Sequence, residues 1–231
     1  MTALEVEALW LSLRVALAAV IVAMPVGLAL AWVLARRRFP GQVLLEAIVN
    51  LPLVLPAVAI GYALLVVFGR QGPVGRWLYE AFGWQFVFTF KGAVIAAAVM
   101  ALPLMVRAMR QALEAVDTGL EAAARTLGAT RRDVFFGITL PLMSPGLLSA
   151  AVLGYAEALG EFGATITFVS NVPGQTQTLP LAIYSALQQP GGDAAAARLV
   201  GLSVLLAIAA LVLSQWGHRR VQAWLGQAPP P

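Results

Sequence analysis

The amino-acid sequence predicts an all-α polytopic membrane protein that crosses the bilayer about five times. Of its 231 residues, 60% are hydrophobic and only 11% are charged, whereas soluble domains carry roughly 25% charged residues. Five mostly apolar runs approach or exceed the roughly 20 residues that a membrane helix needs. They are residues 8–35, 43–68, 92–109, 138–159 and 194–216. We therefore expect one membrane domain that comprises residues 1–231.

The basic residues predict the orientation of these spans. If the spans alternate in direction, one side of the membrane holds Arg36, Arg37, Arg38, Arg107, Arg110, Arg125, Arg131, Arg132, Arg219 and Arg220. The other side holds Arg70, Arg76, Lys91 and Arg198, with Glu5 and Glu7 in the N-terminal tail. The arginine-rich side faces the cytoplasm, so we expect the N-terminus outside and the C-terminus inside. Bases placed at the ends of apolar runs indicate membrane topology, not a nucleic-acid surface.

The chain lacks the residues that an intramembrane enzyme or a metal site would need. It has no cysteine and a single histidine, His218, which leaves no thiolate site, no multi-histidine site and no Ser–His pair within the spans. Asp117, Asp133 and Asp193 lie outside the predicted spans, so no aspartate pair can form inside the bilayer. We therefore expect no catalytic residue and no metal ligand in this chain.

Prolines interrupt the predicted spans, and aromatic residues are frequent in the segment between the second and third spans. Each proline removes one backbone hydrogen bond, and the freed carbonyl must be satisfied by protein or water. We expect kinks at Pro25, Pro52, Pro56, Pro103, Pro141 and Pro145. Residues 69–90, which are rich in glycine and aromatic residues, predict an interfacial segment on the outer side of the membrane.

The longest cytoplasmic loop, about residues 110–139, has the sequence of a folded helical hairpin. Thr118 and Glu121 have the T-x-x-E spacing of a capping box. Gly128 suits the left-handed position that ends a helix, and Thr130 with Asp133 predicts the start of a second helix. One face of the first helix carries Leu120, Ala123, Ala124 and Leu127. This face could dock into another protein or rest among lipid headgroups, and the residues alone leave both readings open.

The spacing of this hairpin resembles the "EAA" loop of permeases of ATP-binding-cassette (ABC) importers, whose pattern is E-A-A-x-x-x-G, nine residues, then I-x-L-P. The chain matches the pattern at Ala123, Ala124, Gly128, Ile138, Leu140 and Pro141. It departs at the acid, because Ala122 occupies the expected position and Glu121 comes one residue earlier. The resemblance implies a coupling helix that docks into an ATPase subunit. It assigns coupling to Glu121, Ala123, Ala124, Leu127, Gly128, Ile138, Leu140 and Pro141.

A second polar stretch, GEFGATITFVSNVPGQTQTLPLAIY at 160–184, follows the fourth span. Gly160 and Gly163 predict a helix break around Glu161. An acid within a bundle is a functional candidate, but we favour a bracing role in which Glu161 accepts backbone N–H bonds. The glutamine and threonine run could give an oxyanion weak neutral donors or form a solvated loop. The pathway and gate candidates are Glu157, Glu161, Thr165, Thr167, Gln175 and Thr176, of which Glu157 could equally serve a subunit interface.

This stretch and most of the chain resemble the permease subunits of molybdate importers, which extends the EAA-loop resemblance. It implies the type I ABC importer permease fold in the bacterial inner membrane and a homodimer of five-helix subunits. The further partners implied are two ATPase subunits and an extracytoplasmic binding protein that delivers molybdate or tungstate. The sequence contains no G-x-x-x-x-G-K-[ST] phosphate loop. We therefore expect no cofactor in this chain, with ATP and Mg²⁺ bound by the partner ATPase.

Two other functions stay as alternatives. An ABC permease for sulfate, thiosulfate or another oxyanion would have the same architecture and a different cargo. A self-sufficient channel or secondary transporter would be expected to show intramembrane charge relays or inverted repeats, and the sequence shows no convincing repeat.

Overall fold

The computed structural model describes residues 2–224 and, within them, all side chains except those of residue 211 and residues 213–224. The side chains of Arg219 and Arg220, on which the orientation prediction partly depends, lie outside this description, as do residue 1 and residues 225–231. The described backbone is helical and has no strand. The α-helices are α1 (Ala3–Arg36), α2 (Gln42–Val54), α3 (Ala57–Phe68), α4 (Pro73–Phe82), α5 (Phe90–Glu114), α6 (Thr118–Thr126), α7 (Arg131–Val134), α8 (Leu140–Leu142), α9 (Ser144–Gly160), α10 (Gly163–Val169), α11 (Leu179–Leu187) and α12 (Asp193–Trp224), and a π-helical segment (Phe135–Thr139) joins α7 to α8.

Three predicted spans are single helices and two are broken. Helices α1, α5 and α12 are each long and apolar enough to cross a membrane. The second and fourth spans are interrupted, as their prolines predict. Helices α2 and α3 meet at an angle of 116°, and the helical run from Arg131 to Leu142 meets α9 at 63°. If each bent pair counts as one span, the total is the five that the sequence predicts.

Proline explains the sharper break. Pro56 has no N–H to continue the hydrogen-bonding pattern of α2, and it forces the preceding residue out of the helical region. Leu55 accordingly has an extended backbone with ψ of 148°. Pro52 lies inside α2, and Pro25 and Pro103 lie inside α1 and α5, so none of these three ends its helix. Within the second span, the chain therefore turns at Pro56 and not at Pro52.

Helix α5 forms the centre of the bundle and packs against α1 and α9. Its inward face is built from alanines and methionines, including Ala97, Ala101 and Met105, which are all fully or almost fully buried. The facing helix α9 has glycine at two contacts: a Cβ on Gly146 would overlap Ala112, and one on Gly154 would overlap Met105. Small residues let membrane helices approach closely, and they set the spacing of the two helices here.

A second close contact fixes the bent segments to each other. Helix α3 packs against α10, and a Cβ on Gly61 would lie 2.6 Å from the backbone oxygen of Ala164. On the α10 side, a Cβ on Gly163 would lie 2.7 Å from the Cβ of Ala57. Helix α3 follows the break at Pro56, and α10 follows the break at Glu161, just after the fourth predicted span. Their packing therefore joins the two irregular regions of the bundle.

The outer surface of the bundle is apolar over several helices. Helices α1, α2 and α12 expose Leu17, Ile21, Val43, Leu44, Val54, Leu205 and Ile208. Such a surface suits hydrocarbon, where the backbone polar groups must be satisfied within the helices. The predicted interfacial segment contains the short helix α4, which exposes Trp77, Tyr79 and Phe82. Its place in a headgroup layer stays a prediction.

Candidate functional site

Helix α6 begins with a different cap from the one that the sequence predicts. Asp117 is the N-cap, and its Oδ1 accepts a hydrogen bond from the backbone N–H of Gly119 at 2.7 Å. Thr118 is the first helical residue, so the predicted capping box between Thr118 and Glu121 was wrong. Asp is at least as favourable as Thr at this position, and its charge complements the helix dipole. The carboxylate of Glu121 is thereby free for other partners.

The turn of the hairpin forms as the sequence predicts. Gly128 has a φ of +93°, in the left-handed region that glycine adopts without a steric penalty. The backbone N–H of Ala129 donates to the carbonyl of Ala124 at 3.1 Å and closes the end of α6. Helix α7 then starts with a capping box between Thr130 and Asp133. The bonds that shape the cap, the turn and the start of α7 are therefore all local to the hairpin.

The surface of α6 is largely uncovered in the single chain. Leu120 is 50% exposed and Leu127 is 89% exposed. Ala123 is also exposed, and Ala124 is half-buried. The four residues therefore form a small, mostly exposed apolar face, as a docking surface requires.

The one buried residue of α6 is Glu121. Its Oε1 accepts hydrogen bonds from Nη2 of Arg36 at 2.9 Å and from Oγ1 of Thr139 at 2.8 Å. Neither partner is predicted from the sequence, in which Arg36 serves only as a topology signal. Thr139 is the unspecified position of the I-x-L-P motif, and its hydroxyl within the run FFGITLPL was the signal that could have drawn attention to it.

The rest of the motif continues from the hairpin into the bundle. Ile138 lies in the π-helical segment, and Leu140 and Pro141 open α8. Ile138 and Leu140 are half-buried, whereas Pro141 is exposed. A cavity of about 470 Å³ separates this part of the hairpin from the C-terminal half of α1. It is lined by Pro25, Leu28, Ala29, Trp32, Glu121, Arg125, Arg131, Val134, Phe135 and Thr139.

The second polar stretch is organised by Glu161. Its Oε1 accepts hydrogen bonds from the backbone N–H groups of Ala164 at 2.7 Å and of Thr165 at 3.4 Å. These groups belong to the first turn of α10, so the carboxylate caps this helix at the break that the glycines predict. This is the bracing role favoured from the sequence. Glu157 lies one turn earlier on α9 and is half-buried.

The threonines of the stretch mainly serve the local backbone. The hydroxyl of Thr167 donates to the carbonyl of Gly163 at 2.8 Å. Thr176 is fully buried: its hydroxyl donates to the carbonyl of Ser170 at 3.0 Å and accepts from the N–H of Val172 at 2.9 Å. Thr165 is also buried, whereas Gln175 is exposed. Of these four pathway candidates, Gln175 offers the most accessible side chain in the single chain.

A cluster of neutral polar side chains lies near α11, in which Gln177 and Thr178 belong to the predicted glutamine and threonine run, whereas Asn171 and Ser185 were missed from the sequence. Asn171 Nδ2 donates to Oγ of Ser185 at 2.6 Å, and Gln177 Nε2 lies 3.3 Å from the same oxygen. Oδ1 of Asn171 and Oγ1 of Thr178 are buried and have no hydrogen-bond partner among the described residues. Their spacing along the chain follows no simple period, because the loop brings them together.

Comparison with known proteins identifies the family. The family described as binding-protein-dependent transport system inner membrane component matches residues 23–223. The chain belongs to this family. It is 56% identical over 212 residues to the molybdenum transport system permease protein ModB of Escherichia coli, covering 92% of this chain and 93% of that protein. It is 37% identical over 198 residues to the sulfate transport system permease protein CysT of the same species, covering 84% and 71%.

A solved structure shares the fold of this permease family. In the inward-facing MetNI methionine ABC transporter, one chain matches with a TM-score of 0.72 over 96% of this chain and 99% of that chain. The two sequences are 20% identical, so the likeness concerns the fold alone. Together with the apolar helices, it confirms the predicted all-α multi-pass fold, and the family match identifies the chain as an inner membrane component of a binding-protein-dependent transport system.

Proposed function

We propose that this chain is the transmembrane permease subunit of an ABC importer that moves molybdate into the cytoplasm. The observation that carries the proposal is the 56% identity to a molybdenum permease over more than nine-tenths of both chains. The sulfate permease relative is more distant, at 37% identity and lower coverage. Tungstate is nearly isosteric with molybdate, and we expect it to compete for the same pathway.

The proposed complex contains two copies of this chain, two ATPase subunits and an extracytoplasmic oxyanion-binding protein. The exposed apolar face of α6 supports an ATPase partner on the hairpin side, because exposed apolar surface clustered on one element marks an interaction site. The phosphate-binding loop absent from this sequence belongs, in this proposal, to that partner. ATP and Mg²⁺ are therefore handled outside this chain, which converts the motion of the ATPase into opening and closing of the pathway.

The ion pairs support the alternating topology of the spans, whereas the proposed direction, with the N-terminus outside and the C-terminus in the cytoplasm, rests on the arginine-rich side. Arg198, on the proposed outer side, pairs with Glu5 at 2.8 Å, so α12 and the N-terminal end of α1 meet there. On the proposed inner side, Arg36 pairs with Glu121. Each end of α1 thus contacts a segment that the alternating topology assigns to the same side of the membrane as that end.

Uptake in cells tests the class and the cargo together. Cells that lack their own molybdate permease would express this chain with its neighbouring ATPase and binding protein, and a matched strain would omit only the ATPase. We expect ATPase-dependent molybdate uptake that excess tungstate blocks and excess sulfate does not. Uptake without the ATPase would overturn the importer, and equal competition by sulfate would move the cargo to the sulfate class.

The absence of cysteine in the sequence allows a clean test of orientation. Leu127→Cys places one thiol on the hairpin, and Gln71→Cys places one in the exposed loop between α3 and α4. A membrane-impermeant maleimide should label the thiol at position 71 in intact cells and the thiol at position 127 only after the cells are opened. The reverse pattern would invert the proposed topology.

A further inference from the structure

The helix proposed to dock on the ATPase is attached to its own chain in an unusual way. A surface helix is normally held by an apolar stripe that faces the core. Helix α6 leaves its large apolar side chains, Leu120 and Leu127, exposed and buries a carboxylate instead. Apart from its two caps, the side-chain attachment of α6 therefore centres on Glu121.

The partners of this carboxylate come from two other parts of the fold. Arg36 is the last residue of α1, and Thr139 is the last residue of the π-helical segment that leads into α8 and α9. Arg36 lies 85 positions and Thr139 lies 18 positions from Glu121 in the sequence. The side chains of Arg36 and Glu121 are 17% and 9% exposed. This pair is therefore much less accessible to screening water and salt than the exposed Arg76–Glu80 pair.

A second contact between α1 and the hairpin lies beside this ion pair. Around it lies the cavity of about 470 Å³, and across that cavity the edge contact of Trp32 with Phe135 joins the same two elements at a ring distance of 5.3 Å. Helix α1 in turn packs along α5 at the bundle centre. A displacement of α6 that is passed to Arg36 thus reaches the core of the permease without following the backbone.

We propose that Arg36, Glu121 and Thr139 form a coupling clamp that transmits the displacement of α6 into α1 and α9. They act as positioning residues: they touch neither ATP nor the transported anion. The inference rests on the proposed importer function and deepens it, because it adds a route into α1 to the covalent route from the hairpin into α9. Without the clamp, the ATPase moves a helix that is attached to the bundle mainly through its loops.

The test uses the whole complex reconstituted in liposomes, with molybdate uptake and ATP hydrolysis measured on the same preparation. The variants are Arg36→Ala, Glu121→Ala, the double variant, and Glu121→Gln as a version that keeps the side-chain shape. Arg37→Ala is the matched control, because Arg37 is the exposed neighbour of Arg36 and carries the same charge. Arg36→Lys tests rescue by a conserved charge. The exchange of Arg36 and Glu121 tests rescue by a reversed ion pair, which the Thr139 hydroxyl can still join because it can donate or accept.

We expect the single variants to assemble and hydrolyse ATP while molybdate taken up per ATP falls by about fivefold or more, the low end of coupling between two sites. The double variant should be no worse than either single variant, Arg36→Lys should recover part of the ratio, and Arg37→Ala should leave it unchanged. The molybdate taken up per ATP by Glu121→Gln should lie between the values for wild type and Glu121→Ala.

Two results would overturn the clamp. If uptake and ATP hydrolysis fall in the same proportion as the amount of assembled complex, these residues only stabilise the fold. If uptake per ATP is unchanged in Glu121→Ala, the contact transmits nothing. Failure of the proposed function gives a different signature, because the wild-type complex would then show no ATP-dependent molybdate uptake.

Discussion

Two buried acids, Glu121 in the hairpin and Glu161 at the start of α10, show how differently one residue type is used in two regions of this molecule. They are 7% and 6% exposed, and each accepts two hydrogen bonds. Glu161 bonds backbone N–H groups three and four residues further along its own chain. Glu121 bonds side chains from two distant elements. Burial shows that an acid has partners, and only their identity shows whether it shapes a turn or joins separate helices.

The two regions differ in their surroundings in the same way. Around Glu161, α10 packs tightly against α3 through Gly61 and Gly163, so the local cap sits within a well-packed core. Around Glu121, the hairpin adjoins a cavity and exposes its apolar face. We expect changes near Glu161 to act mainly on stability and changes in the hairpin to act mainly on coupling.

The largest expected effect is from Gly128→Val at the hairpin turn. The φ of +93° is a strained conformation for any residue with a Cβ and most of all for a β-branched one, at a cost of about 1–2 kcal/mol or more. We expect molybdate uptake to fall by about tenfold or more, which corresponds to roughly 1.4 kcal/mol, while the protein still inserts. Uptake and the amount of protein in the membrane check this.

Gly137→Val is the matched control for the turn. Gly137 lies in the same hairpin, has an ordinary φ, and offers open space for a side chain. It should therefore retain much more uptake than Gly128→Val. Normal uptake by Gly128→Val would contradict the coupling assignment of the hairpin.

The next largest effect should come from Glu161→Ala, in the region around α10. It leaves the N–H groups of Ala164 and Thr165 buried without their acceptor, at a cost of about 1–3 kcal/mol. We expect a lower thermal midpoint of the purified permease and less protein in the membrane. In the protein that remains folded, uptake per ATP should stay close to wild type, and a selective loss of coupling would break the distinction between the two acids.

A moderate effect is expected from Ala123→Trp on the exposed face of α6. The indole should overlap the partner surface and reduce co-purification of the ATPase by about tenfold, or roughly 1.4 kcal/mol. Ala194→Trp is the control, because Ala194 is an exposed alanine at the start of α12, on the proposed opposite side of the membrane. Unchanged co-purification of the Ala123 variant would indicate that this face points to lipid.

The smallest effect should be that of Glu161→Gln. The amide oxygen keeps the shape of the carboxylate and can still accept the two backbone bonds, so the loss of stability should be below about 1 kcal/mol. Thermal unfolding of the Glu161→Gln and Glu161→Ala variants side by side measures this loss of stability. A loss as large as that of the alanine variant would show that the charge itself matters there.

Much of the fold could be predicted because its signals are local. The lengths of the apolar runs, the breaks at Pro56 and around Glu161, the turn at Gly128 and the cap formed by Thr130 and Asp133 each depend on a few neighbouring residues. The Thr118 cap was wrong because two adjacent residues, Asp117 and Thr118, can both cap a helix. Their competition depends on the entry of the chain from α5, which spacing does not define.

A multi-pass helical membrane protein, its helix breaks and the position of a hairpin could be predicted from the sequence alone. Those properties follow from hydrophobic length, proline and glycine geometry, and motif spacing. The angle of 116° between α2 and α3 and the contact among Arg36, Glu121 and Thr139 are visible only in the folded protein. Such contacts join residues far apart in the chain, and their partners are chosen by the packing of whole helices, for which no short sequence period carries a signal.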